Sequence, residues 1–338
     1  MAGKVLVSGG SGYIAGFLIR QLVNEGWMVN TTVRNLSREA EVRRLINVDD
    51  AKIKFFAADL MSDDGWADAM AGCSHVAHVA SPFPPGVPKN EDEIIVPARE
   101  GALRVLRAAK AAGVKRFVMT SSCAAVAYGH GSKVQTYNEK DWTNVAGPGV
   151  QPYVKSKTIA ERAARGWVAT EGSSIEFCTV NPSGVLGPVW SKDISTSIEI
   201  VKRLLEGSLP GCPDIGFCIV DVRDVADVHV RAMNAPKMAD ERFICAGPFL
   251  KMIDIARILK SKLSREAKKV PMRELPDFLI KLVAMFDPTV RQITGELGRV
   301  RNTDASHARE VLGWVPRASE ETILDTARSL IDLDVVKV

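Results

Sequence analysis

Tyr153 and Lys157 are the two residues whose types and spacing suggest chemistry most directly. They lie in the run "PYVKSKTIAE" (152–161), which is predicted to be helical. Residues four apart share one helix face, so the phenol and the ammonium point the same way. An ammonium favours a phenolate and lowers the pKa of a tyrosine, which is ordinarily about 10. The alternative is an aromatic ring packed on a lysine stem at the surface, and the run alone leaves both open.

The first half of the chain alternates β-rich and helical runs. The predicted strands are 4–9, 28–34, 52–59, 74–81, 115–122 and 174–182, and the predicted helices between them are 12–26, 38–46, 63–72, 93–112 and 152–172. Repeated β–α–β units predict an α/β fold with a Rossmann-type, doubly wound parallel sheet. Ligands of such sheets bind beyond the carboxyl ends of the strands. The strand-end residues are therefore candidates for the site: Ser8 to Gly12, Arg34, Asp59, Ala80, Ser81, Ser121, Ser122, Asn181 and Pro182.

The second half predicts a smaller, mainly helical lobe. After Pro182 the regular alternation fades, with helices expected near 194–207, 251–263, 276–286, 304–312 and 319–333 and a strand near 242–246. We expect residues 1–182 to form a dinucleotide-binding Rossmann domain, to which 217–235 return. We expect residues 183–338 to form a C-terminal substrate-binding lobe that closes over the strand ends.

The turn "VSGGSGYIAG" joins the first strand to the first helix. Both Gly10-x-Gly12-x-x-Ala15 and Gly9-x-x-Gly12-x-x-Ala15 fit dinucleotide-binding patterns. Either spacing gives a tight turn, a close backbone approach to a pyrophosphate and a helix N-terminus directed at it. Because the glycines follow a first strand and open an amphipathic helix, the turn predicts a dinucleotide site.

The end of the second strand distinguishes between the two nicotinamide cofactors. NAD sites usually carry an acid there for the ribose 2′-hydroxyl, but this strand ends in "TTVRN", with Arg34 at that position and Arg38 shortly after. A guanidinium matches a 2′-phosphate in charge and geometry. The sequence therefore predicts NADPH.

Composition and charge exclude several classes of function. The formal charge of +4 is spread along 338 residues without a basic block, so no nucleic-acid partner is expected. No apolar stretch is long enough for a bilayer, and the first apolar run is too short for a signal peptide, which predicts a cytoplasmic protein without a membrane partner. The six cysteines form no C-x-x-C pair, and His75 and His78 alternate across a strand, so no metal site is expected.

Several runs together resemble one known family. They are "SGGSGYIA" (8–15), "TVR" (32–34), "AADL" (57–60), "HVASP" (78–82), "KRFVMTSS" (115–122), "YVKSKTIAE" (153–161), "NPSGVLGP" (181–188), "IVDVRDVADVH" (219–229) and "HAREVLGWVPR" (307–317). The chain is similar in their order and spacing to the extended short-chain dehydrogenase/reductases of the NAD-dependent epimerase/dehydratase superfamily. Within that group it most resembles the dihydroflavonol reductase-like carbonyl and aldehyde reductases, over nearly its whole length.

The resemblance implies roles for individual residues. Tyr153 and Lys157 correspond to the catalytic pair, and Ser122 corresponds to the catalytic serine, with Ser121 as the alternative. The implied cofactor contacts are Gly9, Ser11, Gly12, Tyr13, Ile14, Arg34, Arg38, Asp59, Leu60, Val79, Ala80, Ser81, Thr120, Tyr153, Lys157, Pro182, Ser183, Val185 and Ser197. Ser8 stands where the family usually has threonine, which is a mild change.

The expected function is NADPH-dependent reduction of a hydrophobic aldehyde, ketone or dihydroflavonol-like carbonyl compound to an alcohol. The alternatives are an NAD-dependent sugar-nucleotide epimerase or dehydratase and a non-catalytic NADPH-binding regulator. The expected partner is the small-molecule substrate, and the chain could be a monomer or a homodimer. Candidate substrate contacts are Phe83, Ala124, Tyr128 and Trp190, with Pro84, Val87, Trp142, Val189 and the 211–218 loop beside them.

Overall fold

The computed structural model describes residues 3–82, 88–131 and 134–337. The strands are β1 Lys4–Val7, β2 Met28–Val33, β3 Ile53–Ala57, β4 His75–His78, β5 Arg116–Thr120, β6 Val134–Tyr137, β7 Glu176–Pro182, β8 Gly184–Leu186, β9 Cys212–Pro213, β10 Gly216–Asp221, β11 Glu241–Cys245, β12 Phe249–Lys251, β13 Glu274–Leu275 and β14 Val300–Thr303. The helices are α1 Tyr13–Asn24, α2 Glu39–Ile46, α3 Trp66–Met70, α4 Asp92–Ala111, α5 Pro152–Thr170, α6 Thr196–Glu206, α7 Val222–Asn234, α8 Met252–Lys262, α9 Asp277–Val283, α10 Pro288–Ile293, α11 Ser306–Leu312 and α12 Ser319–Asp332.

A seven-stranded parallel sheet organises the molecule. Its strand order is β11-β7-β5-β4-β1-β2-β3. The chain winds outward from β1 through β2 to β3 and then continues on the other side of β1 with β4, so the switch point lies between β1 and β4. The carboxyl ends of β1, β4 and β5 are neighbours at this point. All six strands predicted in the first half are present, and the strand predicted near 242–246 is β11, the seventh strand of the sheet.

Helices cover both faces of the sheet. α1 and α7 pack together on one face, and α3, α4 and α5 pack on the other. Both faces of the sheet are therefore buried, as expected for a parallel sheet rich in Val, Ile and Leu. This layering fixes α5, which carries Tyr153 and Lys157, beside the carboxyl end of β5.

The C-terminal part forms a second core around α6, α8 and α12. It includes the small sheet β12-β10-β8, whose strand β10 leads directly into α7 at Asp221. The Asp221 carboxylate accepts a hydrogen bond from the Arg223 amide at 2.8 Å and so begins the helix. α7 and β11 both lie with the large sheet. The exact division into two domains remains a prediction.

Candidate active site

The loop after β5 brings a serine to the catalytic helix. Ser122 begins a short 3-10 turn, and its hydroxyl accepts a hydrogen bond from the Ala124 amide at 3.1 Å. The Ser122 side chain also makes a hydrogen bond with Tyr153 that lowers the pKa of the phenol. The carboxyl end of the sheet and the first turn of α5 therefore bring these two hydroxyl groups together.

Ser121 points to a different partner. Its hydroxyl is buried and donates a hydrogen bond to Oε2 of Glu161 at 2.5 Å. A hydroxyl has one proton to donate, and here a carboxylate accepts it. Of the two serines that the sequence left open, Ser122 is the one whose side chain contacts Tyr153.

α5 presents Tyr153 and Lys157 on one face, as their spacing predicts. The helix begins at Pro152, a residue suited to a first helical position because its φ is already fixed. The Lys157 Nζ lies 5.8 Å from the centre of the Tyr153 ring. The Lys157 side chain is buried and Tyr153 is partly buried, so the alternative of a surface ring on a lysine stem with its ammonium in water does not hold.

Burial controls the pKa of Tyr153. Loss of solvent raises the pKa of the phenol above its ordinary value, and the hydrogen bond with Ser122 only partly opposes this change. The net lowering of the Tyr153 pKa predicted from its spacing to Lys157 is wrong for this structure, because burial of the ring disfavours the phenolate. The phenol is therefore protonated at neutral pH and can donate a proton.

Lys157 is a buried ammonium with a depressed pKa. Burial lowers the pKa of Lys157 from 10.5 to about 8, and the negative charge of Glu161, one turn further along α5, acts to raise it. Lys157 therefore remains mostly protonated at pH 7. Its positive charge contributes to keeping the nearby His78 neutral, since burial and Lys157 together lower the pKa of His78 to about 3.

Ser8 links the ends of β1 and β4 beside the site. Its hydroxyl oxygen accepts hydrogen bonds from the amides of Val79 and Ala80, each at 3.0 Å, and lies 2.9 Å from Nδ1 of His78. With both amides donating to it, the Ser8 hydroxyl donates its own proton to the neutral imidazole. The sequence marked Ser8 as one of the strand-end candidates and as a replacement for threonine, without a partner for its hydroxyl. Its role in holding the predicted cofactor-binding run in place becomes visible only in the fold.

The glycine turn has no room for side chains. Gly9 has a φ of +73°, and a Cβ there would lie 3.0 Å from the Ala80 Cβ. A Cβ at Gly10 would lie 2.2 Å from the Thr31 Oγ1. Gly12 precedes the first residue of α1, so the free amides of the helix N-terminus lie at this turn. The glycine amides are already hydrogen-bonded within the protein, so the amides at the start of α1 are the ones that fit a pyrophosphate group, with Ser11, Tyr13 and Ile14 around it.

Arg34 is the better placed of the two arginines for a 2′-phosphate. It directly follows β2 and is exposed, and within residues 3–82, 88–131 and 134–337 no hydrogen bond or ion pair engages its guanidinium. Arg38 is already paired with Glu41, with 3.2 Å between Nε and Oε2. Asp59 and Leu60 follow the neighbouring β3 at the same edge of the sheet, where an adenine-binding pair is expected.

A buried hydroxyl marks the opposite end of the cofactor region. The Ser183 Oγ is inaccessible to solvent and has no hydrogen-bond partner within the described residues. Such an atom has a free-energy cost unless a ligand satisfies it. Nearby, the Ser197 hydroxyl donates to the Val185 carbonyl at 2.5 Å, which attaches the start of α6 to β8. Together with the glycine turn and Arg34, these residues fit a dinucleotide that extends along the strand ends from β2 to β7.

Three further predicted contacts, Thr120, Ala124 and Tyr128, lie at or after the end of β5. Thr120 donates to His229 on α7 at 2.7 Å, because the other ring nitrogen of His229 donates to a backbone carbonyl. Ala124 is buried next to Ser122. The Tyr128 ring lies beneath the Arg301 guanidinium, 4.4 Å from its carbon, and burial raises the pKa of Tyr128 above its ordinary value.

Two tryptophans proposed as substrate contacts pack on arginines. The Trp190 ring centre is 3.8 Å from that of Phe17 and 3.9 Å from the Arg20 guanidinium carbon, so it covers the first half of α1. Trp142 lies 3.9 Å from the Arg242 guanidinium carbon. Phe83, Pro84 and Val87 lie outside the described residues.

Comparison with known proteins identifies the family. Residues 5–246 match the family model described as NAD dependent epimerase/dehydratase. The chain belongs to this family. A cinnamoyl-CoA reductase of Medicago truncatula is 37% identical over 235 residues, which cover 68% of this chain and 71% of the relative. An anthocyanidin reductase of Vitis vinifera is 31% identical over 289 residues, which cover 80% of this chain and 82% of the relative.

Solved structures agree with the fold. The yeast methylglyoxal/isovaleraldehyde reductase Gre2, solved in complex with NADPH, superposes with a TM-score of 0.82 at 24% identity, over 98% of this chain and 99% of that one. The comparisons confirm the predicted family and fold class and the prediction that the chain is a reductase. None of the described helices combines the length and the apolar character needed to cross a membrane.

Proposed function

We propose that this protein is an NADPH-dependent reductase that converts the carbonyl group of a hydrophobic aldehyde, ketone or dihydroflavonol-like compound to an alcohol. The observation that carries the proposal is the contact between Ser122 and Tyr153, with Lys157 buried behind the ring. This arrangement lies at the same edge of the sheet as the glycine turn. The related reductases support the reaction class.

Each of the three residues has a distinct role in the reaction. Tyr153, held protonated by its burial, donates its proton to the carbonyl oxygen as general acid. Ser122 directs its hydroxyl at the same oxygen, where a hydrogen bond strengthens as negative charge develops. The Lys157 ammonium stabilises the phenolate that Tyr153 leaves behind. The burial of Lys157 and the partial burial of Ser122 and Tyr153 strengthen these electrostatic effects.

Residues along the strand ends would hold the cofactor. When bound, NADPH supplies the hydride for the carbonyl carbon. Backbone amides at the start of α1 would bind the pyrophosphate, and Arg34 would bind the 2′-phosphate. The Ser183 hydroxyl would gain a partner at the nicotinamide end. The complex of Gre2 with NADPH supports this choice of cofactor.

A hydrophobic substrate agrees with the groups beside the reacting residues. Ala124 and Tyr128 offer an apolar wall and an aromatic face near Tyr153. The substrate classes named for the relatives are cinnamoyl-CoA and anthocyanidins, both of which carry aromatic rings. Phe83 and Trp190 remain proposed contacts, although Trp190 packs against Phe17 and Arg20 of α1.

A substrate panel tests the proposal. The purified protein is incubated with NADPH and, in separate reactions, cinnamaldehyde, an aryl ketone, an α-ketoester, a dihydroflavonol and methylglyoxal, and the loss of absorbance at the NADPH band is followed. We expect turnover with at least one aromatic carbonyl compound and a lower kcat/KM with NADH. Bound NADPH without turnover of any carbonyl compound, or conversion of a UDP-sugar instead, would contradict the proposed function.

A further inference from the structure

Glu161 is a buried carboxylate that the proposed mechanism does not use. It lies on α5 one turn after Lys157, and its side chain is 0% exposed. An isolated carboxylate in such a position would be strongly unfavourable, so its surroundings must compensate for the charge. The groups that compensate for the charge connect Glu161 to the loop that carries Ser122 and to the neighbouring strands β7 and β11.

Four hydrogen bonds from the described residues converge on the two oxygens of Glu161. Oε2 accepts from the Ser121 hydroxyl at 2.5 Å and from the Asn181 side-chain amide at 2.8 Å. Oε1 accepts from Arg242 at 2.7 Å and from Arg165 at 3.2 Å. The Thr179 hydroxyl also lies 3.2 Å from Oε1, but its one proton has a shorter acceptor in Oδ1 of Asn181, at 2.9 Å. The carboxylate thus joins α5 to the loop after β5, to β7 and to β11.

Two of these bonds lead directly to the serine of the active site. Ser121 precedes Ser122 in the chain, so fixing the Ser121 hydroxyl fixes the backbone that carries Ser122. Asn181, held by Oε2 of Glu161, also donates to the Ser122 carbonyl oxygen at 3.2 Å. One carboxylate on the catalytic helix therefore sets the position of the serine loop relative to Tyr153.

Glu161 is also the charged residue that lies one turn after Lys157 on α5. The titratable groups around the two residues come from three elements: Tyr153, Lys157, Glu161 and Arg165 from α5, Arg242 from β11, and neutral His78 from β4. Of these, Glu161 alone carries a negative charge. Burial favours its neutral form, but Arg242, Arg165 and the hydrogen bonds outweigh this effect and lower the pKa of Glu161.

We propose that Glu161 is a positioning residue for carbonyl reduction, which holds the Ser122 loop against α5 and supplies the counter-charge for the Lys157 ammonium. The inference rests on the proposed function, since it assigns Ser122, Tyr153 and Lys157 to the reaction. Glu161 acts through these residues and touches neither substrate nor cofactor.

The replacement Glu161→Gln separates this role from a merely structural one. It retains the size of the side chain and removes the charge. We expect kcat to fall about tenfold or more at pH 7, since a displacement of catalytic groups by about 1 Å can cost a hundredfold. With the counter-charge gone, Lys157 loses its proton at lower pH. The alkaline limb of the kcat/KM profile should therefore move toward lower pH by about one unit.

Glu176→Gln is the matched control. Glu176 pairs with Arg116 at the amino end of β7, whereas Asn181 lies near the carboxyl end of the same strand. This control also deprives an arginine, Arg116, of its carboxylate partner. It should leave kcat and the position of the alkaline limb unchanged. A Glu161→Gln protein that is folded and has the wild-type kcat and the wild-type limb would overturn the inference alone. A wild-type protein without reductase activity would overturn the proposed function and this inference with it.

Ser121→Ala provides a second test if Glu161→Gln fails to fold. It retains all charges and removes one link between Glu161 and the serine loop. We expect a fall in kcat of about threefold, the value of one ordinary hydrogen bond, with the alkaline limb unmoved. A kcat equal to that of the wild type would contradict the positioning role.

Discussion

At the scale of single residues, burial rather than sequence spacing decides what the site can do. Tyr153 and Lys157 were predictable from their spacing, because four residues place two side chains on one helix face. The raised pKa of Tyr153 was not predictable, because it depends on how completely the fold covers the ring. The sequence also left the choice between Ser121 and Ser122 open, because only the fold determines which hydrogen-bond partner each of two adjacent serines meets.

The serine assignment leads to a paired prediction. Ser122→Ala should lower kcat by a hundredfold or more, about the loss seen when a donor to a developing oxyanion is removed. Ser121→Ala should lower kcat by only about threefold, because its hydroxyl bonds to Glu161 and not to Tyr153. Steady-state kinetics of both variants decide the matter. A larger loss in Ser121→Ala than in Ser122→Ala would show that the wrong serine had been chosen.

Arg34 leads to a prediction about cofactor preference. Arg34→Asp removes a charge-assisted contact to the 2′-phosphate of NADPH and places a carboxylate against that phosphate. With NADH, the same carboxylate can accept a hydrogen bond from the 2′-hydroxyl. Hydrogen bonds to charged groups contribute about 1.5–3 kcal/mol, so the preference should shift by at least about tenfold toward NADH. Arg38 can retain part of the phosphate affinity, so a full reversal is not required.

The measurement is kcat/KM with each cofactor at one ionic strength, because salt screens the contact. Arg309→Asp is the control for the change in net charge, since Arg309 is exposed on α11. An NADPH/NADH ratio that is the same in Arg34→Asp and the wild type would show that Arg34 does not contact the phosphate.

At the scale of elements, close packing at the switch point prepares the cofactor site. The ends of β1 and β4 are joined by the Ser8 hydroxyl, and the glycine turn lies directly against Ala80. The long strands and helices were predictable because their apolar periodicity is sustained. The split of 217–233 into β10 and α7 at Asp221 was not predicted, because no glycine or proline separates the two elements in the sequence. Short strands such as β9 and β13, two residues each, carry no periodic signal at all.

The turn itself can be tested with Gly9→Ala. Its positive φ and its contact with Ala80 should together lower the free energy of unfolding by about 1–3 kcal/mol. The displaced turn should also weaken NADPH binding by about tenfold or more, since the backbone must approach the pyrophosphate closely. Chemical denaturation and direct titration with NADPH measure the two effects.

Gly113→Ala is the matched control for the turn. Gly113 has a φ of +71°, but a Cβ there would meet no atom within 4 Å. This variant should show the backbone cost without the loss of NADPH affinity. Equal NADPH affinities in the two variants would contradict the role given to the Gly9 turn.

At the scale of the whole molecule, α7 connects the C-terminal part of the chain to the large sheet. His229 on this helix is fully buried and bridges the Val225 carbonyl and the Thr120 hydroxyl at the end of β5. The sequence predicted that residues near 217–235 return to the Rossmann part. It could not predict this bridge, which joins residues 109 positions apart.

His229 gives the protein a specific sensitivity to acid. Burial lowers the pKa of His229 to about 4, below the ordinary value of 6.5. The unfolded chain therefore binds a proton more readily than the native protein does. The stability contributed by the neutral ring is complete above about pH 6.5 and is lost as the pH falls toward 4. Between pH 7 and pH 5 this site should lower the free energy of unfolding by on the order of 2 kcal/mol.

Urea unfolding of the wild type and His229→Gln at both pH values checks this prediction. Glutamine can retain a hydrogen-bond donor and an acceptor without titrating. The free energy of unfolding should therefore fall by about 2 kcal/mol less between pH 7 and pH 5 in the variant than in the wild type. An equal loss of unfolding free energy in the two proteins would show that His229 does not titrate between pH 7 and pH 5.

The central claim is that the folded chain reduces a carbonyl group with Tyr153 as the proton donor. The most direct test is the kcat of Tyr153→Phe, which keeps the ring and removes the proton, measured with the best substrate of the panel. Titration with NADPH confirms that the variant is folded and binds the cofactor. We predict a fall in kcat of about a hundredfold or more with NADPH affinity within about twofold of the wild type, since the replacement preserves packing. A folded, NADPH-binding Phe variant that turns over at nearly the wild-type rate would contradict the account.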